Sequence, residues 1–423
     1  MHRYGLVFAC LFAAAGWSRA ASPNPDDLVA TPEIQVKARA LVRQLGSEEF
    51  SEREDAQKQL TELGRFARPA LLAGVNTSPD PEIRLRCAEL LPTATALDIR
   101  AKLDTFLADT KGEYEHDLPA WKTFRATVRS EWTFFGRVVW TDRSLDMAAR
   151  EVFAELLAAP ANRRVLIAVD GSRVELSDLV AARRQELAPA RFARRGSDDN
   201  TPHRDPTLAD MTALLFADSR IGSQYLPRQA TASSLMYASG FASAARGSDA
   251  KSKVYRAVAV AWLDSRNDPR EMYQAMSIAT DLNLNDQTCG IAARLMTMPG
   301  VTAMYRSRAA SNLVSYGSKK HVPLLAKAMS DTVVVSSNVR PAPFAPVNPE
   351  VATHEIQVRD LALAVSVLLS GQKLDDYGFT DRLAIAGADD RSFTYTRYYF
   401  SDDAARKTAF EKWAEWRKAH PGE

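Results

Sequence analysis

A nine-residue pattern that recurs along the chain limits its fold more than any other feature of the sequence. The pattern is an apolar residue, arginine, two variable residues, a small residue, three variable residues and leucine. The first, fifth and ninth positions lie on one face of an α-helix, so each copy predicts a helix that packs against a neighbour. Four copies span residues 52–60, 83–91, 255–263 and 305–313, and a shortened fifth spans 358–362.

The spacing of these copies predicts helix pairs that stack irregularly. The first two copies start 31 residues apart, at positions 52 and 83, which is the length of a helix pair in a repeat protein. Later copies start 50 and 53 residues apart, and Glu52 occupies a position where the pattern has an apolar residue. We expect each arginine to lie at the edge of the apolar face, where it pairs with acids or carbonyls of the turns.

Capping signals predict where the N-terminal helices begin and end. A Ser, Thr or Asp that precedes proline or a capping-box glutamate marks a helix start, and glycine marks an end. The starts are at Thr31–Pro32, 51–54 and Asp80–Pro81, and the ends are at Gly46 and Gly64. The expected helices span residues 34–45, 69–75 and 83–91. Residues 322–329 have a sequence similar to the second of these and predict a further helix.

The repeated pattern and its flanking segments resemble HEAT repeats, in particular the exported HEAT-repeat proteins of planctomycete type. The similarity is clearest over residues 32–95 and 300–420. Further fragments similar to that group are residues 45–56, 106–109, 116–121, 358–372, 377–379 and 413–416. The resemblance implies an all-α fold, an irregular α-solenoid of HEAT-like helix pairs that acts as a scaffold, and it implies no catalytic residues.

The first twenty residues have the features of a secretory signal peptide. His2 and Arg3 precede an apolar run over residues 6–15, and the small-residue sequence 18–20 precedes Ala21. The run is about half as long as a membrane-spanning helix requires. We expect export to the periplasm, the cell envelope or the medium, with no transmembrane segment left after cleavage.

The net charge of the chain narrows the class of partner that it can bind. Removal of residues 1–20 takes two arginines from 54 basic residues and none of 52 acidic ones, which leaves 52 of each. A near-zero net charge gives no long-range attraction for polyanions, so we expect no nucleic-acid partner.

Two cysteines, Cys87 and Cys289, remain after removal of residues 1–20. They could form a disulfide or stay as two buried thiols, and their apolar helical surroundings favour buried thiols.

A chain of 423 residues is too long for one compact core. Two segments interrupt the helical pattern: the arginine-rich stretch 183–204, read as a mobile loop, and the proline-rich stretch 331–354, which begins with a β-rich sequence. The predicted organisation is a signal peptide 1–20, an extended leader 21–30, N-terminal repeats 31–100, a helical middle region 101–250, and C-terminal repeats 251–423 that end in a capping helix 403–419.

The sequence contains no familiar catalytic motif. His354 and Glu355 begin a zinc-protease pattern, but Val358 stands where the second histidine is required. Nucleophile elbows, phosphate-binding loops, Cys-x-x-Cys pairs and dinucleotide fingerprints are missing as well. We therefore expect a protein that is not an enzyme and that needs no cofactor.

The densest polar group leaves two alternatives open. Glu113, Glu115, His116 and Asp117 lie within five residues, and their oxygen and imidazole groups suit a cation such as calcium or zinc. The favoured alternative is a structural turn, in which His116 or Asp117 caps a helix that begins near Pro119.

Aromatic clusters provide the remaining binding candidates. One cluster spans residues 121–140 and the other spans 393–400, and each fits either core filling or the binding of a protein or sugar. The candidate partner-binding residues are Arg340, Phe344, Tyr398 and Tyr399. We expect an exported, non-enzymatic scaffold for a protein partner that uses its solenoid surface or the proline-rich loop; the alternatives are a metal-dependent enzyme and a carbohydrate-binding envelope module. The oligomeric state is left open.

Overall fold

The fold is predominantly helical, as the sequence predicts. The computed structural model describes residues 22–128, 131–134, 137–140, 142–187, 205–222, 232–339, 354–381, 393–394 and 397–420. Seventeen α-helices and three two-stranded antiparallel sheets lie in these ranges. Packing divides the chain into an N-terminal unit, residues 1–118, and a C-terminal unit, residues 119–423. The predicted signal peptide, residues 1–20, lies outside the described residues.

The described part of the N-terminal unit, from residue 22 onward, contains four α-helices and two short 3₁₀ helices. These are the 3₁₀ helix Pro25–Leu28, α1 (Pro32–Gln44), α2 (Phe50–Leu63), the 3₁₀ turn Gly64–Ala67, α3 (Arg68–Thr77) and α4 (Pro81–Ala108). Their apolar faces meet in one core, whose members include Leu41, Leu45, Ala56, Leu60, Leu71 and Cys87. Two of the aligned repeat copies thus place their small residues, Ala56 and Cys87, in a shared core.

Three predicted helix ends are confirmed. The Thr31 hydroxyl accepts a hydrogen bond from the Ile34 amide, and the Asp80 carboxylate accepts one from the Glu82 amide at 2.8 Å. Gly64 ends α2 with a φ of 56°, a backbone conformation that a glycine adopts without steric cost. Thr31 and Asp80 thereby satisfy amides at helix starts that have no partner within the helix.

The predicted capping box at residues 51–54 is wrong. Helix α2 begins at Phe50, and Ser51 lies inside its first turn. Ser47 forms the local turn instead: its hydroxyl donates to Glu52 at 2.6 Å and accepts from the Glu49 amide at 3.2 Å. The serine that organises this helix start is therefore four residues earlier than the motif suggests.

Helix α4 is much longer than the predicted helix 83–91. It continues through Pro92 and past residue 100 to Ala108, because packing against α3 and the 3₁₀ turn outweighs the loss of one backbone hydrogen bond at the proline. Helices α3 and α4 approach closely at Gly74, where an added Cβ atom would lie 2.6 Å from the Cys87 sulfur.

The C-terminal unit contains the other thirteen α-helices of the described residues. They are α5 (Trp121–Val128), α6 (Arg143–Ala158), α7 (Pro160–Val169), α8 (Arg173–Glu186), α9 (Leu208–Ile221), α10 (Ala232–Ala238), α11 (Phe241–Arg246), α12 (Ala250–Asp264), α13 (Pro269–Asp281), α14 (Asn285–Thr297), α15 (Ala303–Tyr316), α16 (Val358–Leu369) and α17 (Asp403–Ala419). The bounds of α17 match the predicted capping helix.

Short strands occur between these helices. Strands β1 (Glu131–Phe134) and β2 (Arg137–Trp140) form a hairpin, β3 (Val334–Val339) pairs with β4 (His354–Gln357), and β5 (Thr380–Asp381) pairs with β6 (Tyr398–Tyr399). The β-rich start of the segment 331–354 is confirmed by β3, and residues 340–353 lie outside the described residues. The predicted helix 322–329 is a 3₁₀ helix that spans Lys319–Ser330.

The loop predicted at residues 183–204 begins later than expected. Arg183 and Arg184 belong to α8, where both make ion pairs. Arg183 donates to Asp210 at 2.7 Å, and Arg184 pairs with the buried Asp218. The two arginines therefore join α8 to α9, and residues 188–204 lie outside the described residues.

Two series of consecutive helices in the C-terminal unit pack in chain order, and α12 also packs extensively against α6 and α9. Helices α6, α7, α8 and α9 pack against their sequence neighbours, as do α12, α13, α14 and α15. Helix α16 follows α15 in this packing and also contacts the 3₁₀ helix Lys319–Ser330. The small residues of the later repeat copies, Ala259, Ala309 and Ala362, are fully buried, which fits the close helix contacts expected at that position.

The repeat arginines bind backbone oxygens of the preceding turn. Nη1 of Arg53 donates to the carbonyls of residues 47 and 48, at 2.7 and 3.0 Å. Nη1 of Arg84 donates to those of residues 78 and 79, at 2.9 and 2.8 Å. Arg163, which lies outside the aligned copies, binds the carbonyls of residues 157 and 158 in the same way. In each case the acceptors lie six and five positions before the arginine.

The arginines of two further copies make similar contacts with acceptors that lie farther from them in sequence. Arg256 donates to the carbonyls of Ala245 and Gly247. Arg306 donates to the carbonyl of Met298 and to the carboxylate of Asp331, each at 2.8 Å. The arginines thus satisfy carbonyls at or just beyond helix C-termini, which lack intrahelical partners. The predicted pairing with turn acids or carbonyls is confirmed for the arginines of the four full copies. Arg359 of the shortened copy donates instead to the side-chain amide of Gln357.

Cys87 and Cys289 are buried free thiols rather than a disulfide. Burial raises the pKa of each thiol from 9.0 to about 11. Because the folded-state pKa lies above the unfolded value, the thiols favour folding below pH 9, and this contribution is lost as the pH rises towards 11.

We expect neither thiol to react with a disulfide reagent at pH 8 in the folded chain that starts at Ala21. Thiolate is the reactive form, and burial suppresses both its formation and its access to the reagent. Absorbance after addition of Ellman's reagent measures this, and the same chain in guanidinium, where two thiols should react, is the control. Rapid labelling of the folded chain would contradict the buried positions.

Candidate functional site

A pocket of about 350 Å³ lies within the N-terminal unit. The leader, the start of α1, the 3₁₀ turn Gly64–Ala67, the start of α3, the second half of α4 and the segment 115–118 all contribute to its wall. Its lining residues are Pro25, Asp26, Leu28, Val29, Ala30, Gln35, Arg65, Phe66, Arg68, Pro69, Asp98, Lys102, Glu115, His116, Asp117 and Leu118. The volume is at the lower end of the range for small-ligand sites.

Arg65 fixes the leader to the 3₁₀ turn at one part of the pocket. Its Nη1 donates to the Leu28 carbonyl at 2.7 Å. The guanidinium carbon lies 4.1 Å from the centre of the Phe66 ring, a cation–π distance at which both groups restrain each other. A charged group and an aromatic ring are therefore held side by side in the pocket wall.

Three charged residues on α3 and α4 form a loose triad. Oδ2 of Asp98 lies 3.7 Å from Nη1 of Arg68 and 3.5 Å from Nζ of Lys102. Both distances allow an ion pair but exceed those of good hydrogen bonds. Nε of Arg68 and Oδ2 of Asp98 are buried atoms without a hydrogen-bond partner. The triad is therefore loosely paired, and these two polar atoms lie beneath the pocket surface without a partner.

Asp109 shapes the segment that brings residues 115–118 to the pocket. Its carboxylate accepts hydrogen bonds from the amides of Glu113 and Tyr114, at 2.9 and 3.2 Å. Its Oδ2 also lies 3.1 Å from Nε2 of His116, whose ring contacts the edge of Phe106. Asp109 and His116 are both buried, so this group holds a turn, as one of the two alternatives predicted.

The four residues considered for metal binding are only partly brought together. Glu115, His116 and Asp117 line the pocket, whereas Glu113 pairs with Lys111 at 3.3 Å. Within the described ranges, no group of three or more His, Cys, Asp or Glu side chains has a geometry that could hold a metal ion.

The expected helix cap at this point comes from a different residue. The helix after Pro119 is α5, and Asp170 caps it: its carboxylate accepts from the Ala120 amide and the Thr123 hydroxyl, each at 2.8 Å. The prediction that His116 or Asp117 caps this helix is wrong. A residue fifty positions away does so, and no local spacing indicates it.

The aromatic candidates lie mainly in the core. Tyr398 and Tyr399 are buried, with Tyr399 stacked on His354 at 4.6 Å between ring centres. Their expected role in partner binding is corrected to core filling, because neither ring is exposed to solvent. Trp121 and Phe124 of the first cluster are buried as well. Arg340 and Phe344 lie outside the described residues.

The sequence did not reveal the cationic part of the pocket. Arg65, Phe66, Asp98 and Lys102 belong to no motif, and Arg68 only precedes the predicted helix 69–75. The one available signal is the short spacing of Arg65 and Arg68 around Phe66. It becomes informative only once α4 is known to continue beyond Pro92, because that extension supplies the other two charges.

Comparisons with known proteins identify no relative of this chain. No protein-family model, curated protein or solved structure matches the chain. Among the described residues, no helix combines the length and apolar character needed to cross a membrane.

Proposed function

We propose that this chain is an exported scaffold without catalytic activity, in which HEAT-like helix pairs form an irregular α-solenoid that binds a protein partner. The pocket of the N-terminal unit is one of its binding sites. The features of residues 1–20 support export.

The observation that carries the proposal is the packing of consecutive helices in chain order, seen in α6–α9 and again in α12–α16. In solenoids each repeat contacts mainly its neighbours, and the stack presents an extended surface for partners. The contacts of Arg53, Arg84 and Arg163 with the turn before their helices add support, since one local contact recurs along the chain as a repeat origin would require.

Cross-linking tests the proposed partner binding. The chain from Ala21 is linked to proteins of the envelope and secreted fractions of its source cells, and excess unlabelled chain serves as competitor. We expect a small set of proteins whose capture is lost on competition. Capture that survives competition, or that is equal for the heat-denatured chain, would argue against a scaffold.

A matched variant then distinguishes the proline-rich loop from the rest of the surface. Residues 340–353 are replaced by a short Gly-Ser linker that leaves β3 and β4 in place. Loss of the partner assigns binding to this loop, and retention assigns it to the helices or the pocket. N-terminal sequencing of the protein from the cell exterior should begin at Ala21 and tests export separately.

A further inference from the structure

The charges of the N-terminal pocket differ in how strongly solvent screens them. Asp26, Glu115 and Asp117 are exposed, so water reduces their effect on a ligand. Arg65, Arg68 and Lys102 are half-buried, as is Asp98. Charges in less solvated positions interact more strongly, and among these the positive charges outnumber the negative one.

Arg68 has hydrogen-bonding capacity that Asp98 does not use. Its side chain lines the pocket and is 34% exposed, and its Nη1 reaches Asp98 only at 3.7 Å, which is too long for a good hydrogen bond. A ligand oxygen closer to this guanidinium gains a charge-assisted hydrogen bond. The edge formed by the two Nη atoms matches the two oxygens of a carboxylate.

The charge balance favours a carboxylate over a phosphate group. Asp98 lies within 3.7 Å of Arg68 and 3.5 Å of Lys102 and neutralises part of their charge. The positive charge of Arg68 and Lys102 that Asp98 leaves uncompensated matches the single negative charge of a monoanion. A dianion would add repulsion with Asp98 and with the acidic residues of the pocket rim.

The remaining wall can receive an apolar group next to that carboxylate. Leu28, Phe66 and Leu118 line the same pocket, and Phe66 is held in place by its contact with Arg65. An extended peptide that ends in an apolar residue presents a carboxylate and an apolar side chain on the same Cα atom. The pocket volume of about 350 Å³ suits such a short terminal segment.

We infer that this pocket binds the C-terminal carboxylate of the partner protein, with Arg68 and Lys102 as the carboxylate-binding residues and Phe66 beside the terminal side chain. The inference rests on the proposed function, because it takes the ligand to be part of a protein. Capture of terminal carboxylates by convergent donors is an established mode of peptide recognition.

Two peptide pools test the inference with the chain from Ala21. One pool holds N-acetylated tripeptides with an apolar last residue and a free carboxylate, and the other holds the same peptides as C-terminal amides. Equilibrium dialysis with mass-spectrometric readout measures binding. We expect binding from the free-acid pool alone, weakened about tenfold by Arg68→Gln and weakened also by Lys102→Gln.

Arg100→Gln is the matched control, because Arg100 is an exposed arginine on α4, the helix of Lys102, and does not line the pocket. Its binding should equal that of the unchanged chain. The urea midpoint of each variant shows that the N-terminal unit remains folded. Equal loss in Arg68→Gln and Arg100→Gln would overturn the assignment of Arg68.

Other results would overturn the inference in distinguishable ways. Equal binding of acids and amides would reject carboxylate recognition, and binding of neither pool would reject the pocket as a chain-end site. If 3-phenylpropionate bound as tightly as the best tripeptide, the ligand would be a small carboxylic acid instead. The cross-linking experiment stands apart from all three, since a partner captured there would support the scaffold even if the pocket bound no peptide.

Discussion

Asp218→Asn should destabilise the C-terminal unit by about 3–5 kcal/mol. Asp218 is 2% exposed and lies among buried partners. Its Oδ2 accepts hydrogen bonds from Nε1 of Trp262 at 2.6 Å and from Nη1 of Arg266 at 3.1 Å, and it pairs with Arg184. Removal of its charge leaves Arg266, which is 0% exposed, without its main counter-ion.

The environment of Arg266 explains the size of this effect. Burial lowers the pKa of Arg266, while the charges of Asp218 and Glu271 act in the opposite direction. Glu271, whose carboxylate lies 3.2 Å from Nη1 of Arg266, would still pair with it. Because a guanidinium does not deprotonate in a protein, it stays charged in a site of low polarity when its partner is removed.

Urea denaturation followed by far-ultraviolet circular dichroism measures the change. Asp286→Asn is the matched control: Asp286 also pairs with a cation, Lys320, but its side chain is 69% exposed. Exposed ion pairs contribute at most about 1 kcal/mol. A loss at Asp218 no larger than that at Asp286 would show that the buried network is not needed for stability.

Leu313→Ala should cost about 2–5 kcal/mol. Leu313 is the last residue of a repeat copy and is 0% exposed in α15, a helix that packs against α14 and α16. Truncation removes apolar contacts and leaves a cavity between these helices.

Leu324→Ala makes the same chemical change at a leucine that is 49% exposed. We expect it to change stability by less than about 0.5 kcal/mol. The urea midpoints of the two variants, measured under identical conditions, compare their losses of stability. If both substitutions lowered the stability only slightly and equally, Leu313 would not be a packing residue and the alignment of the repeats would fail at this copy.

Local features of this chain are predictable where the determining residues are adjacent. Thr31, Asp80 and Gly64 cap helices as expected because a cap depends on three or four neighbouring residues. The capping-box prediction at Ser51 failed because Ser47, a few positions earlier, offered a competing turn. The predicted helix end before Pro92 failed because tertiary packing continues α4 beyond it.

The pocket was beyond prediction for a related reason. Its wall combines residues 25–35, 65–69, 98–102 and 115–118, and no periodicity relates these segments. The group at residues 113–117 was recognised by its composition, yet its role depends on Asp109, whose burial and contacts with the Glu113 and Tyr114 amides only the structure reveals.

The arginine contacts have an evolutionary consequence. Arg53, Arg84 and Arg163 bind main-chain oxygens, and every amino acid supplies such an oxygen. Substitutions in the acceptor turns therefore leave the acceptor oxygens in place. Loss of the arginine, in contrast, removes the donor and with it both hydrogen bonds. We expect the turns to diverge freely between copies and among descendants of this gene, and the arginine and the small buried residue to change slowly.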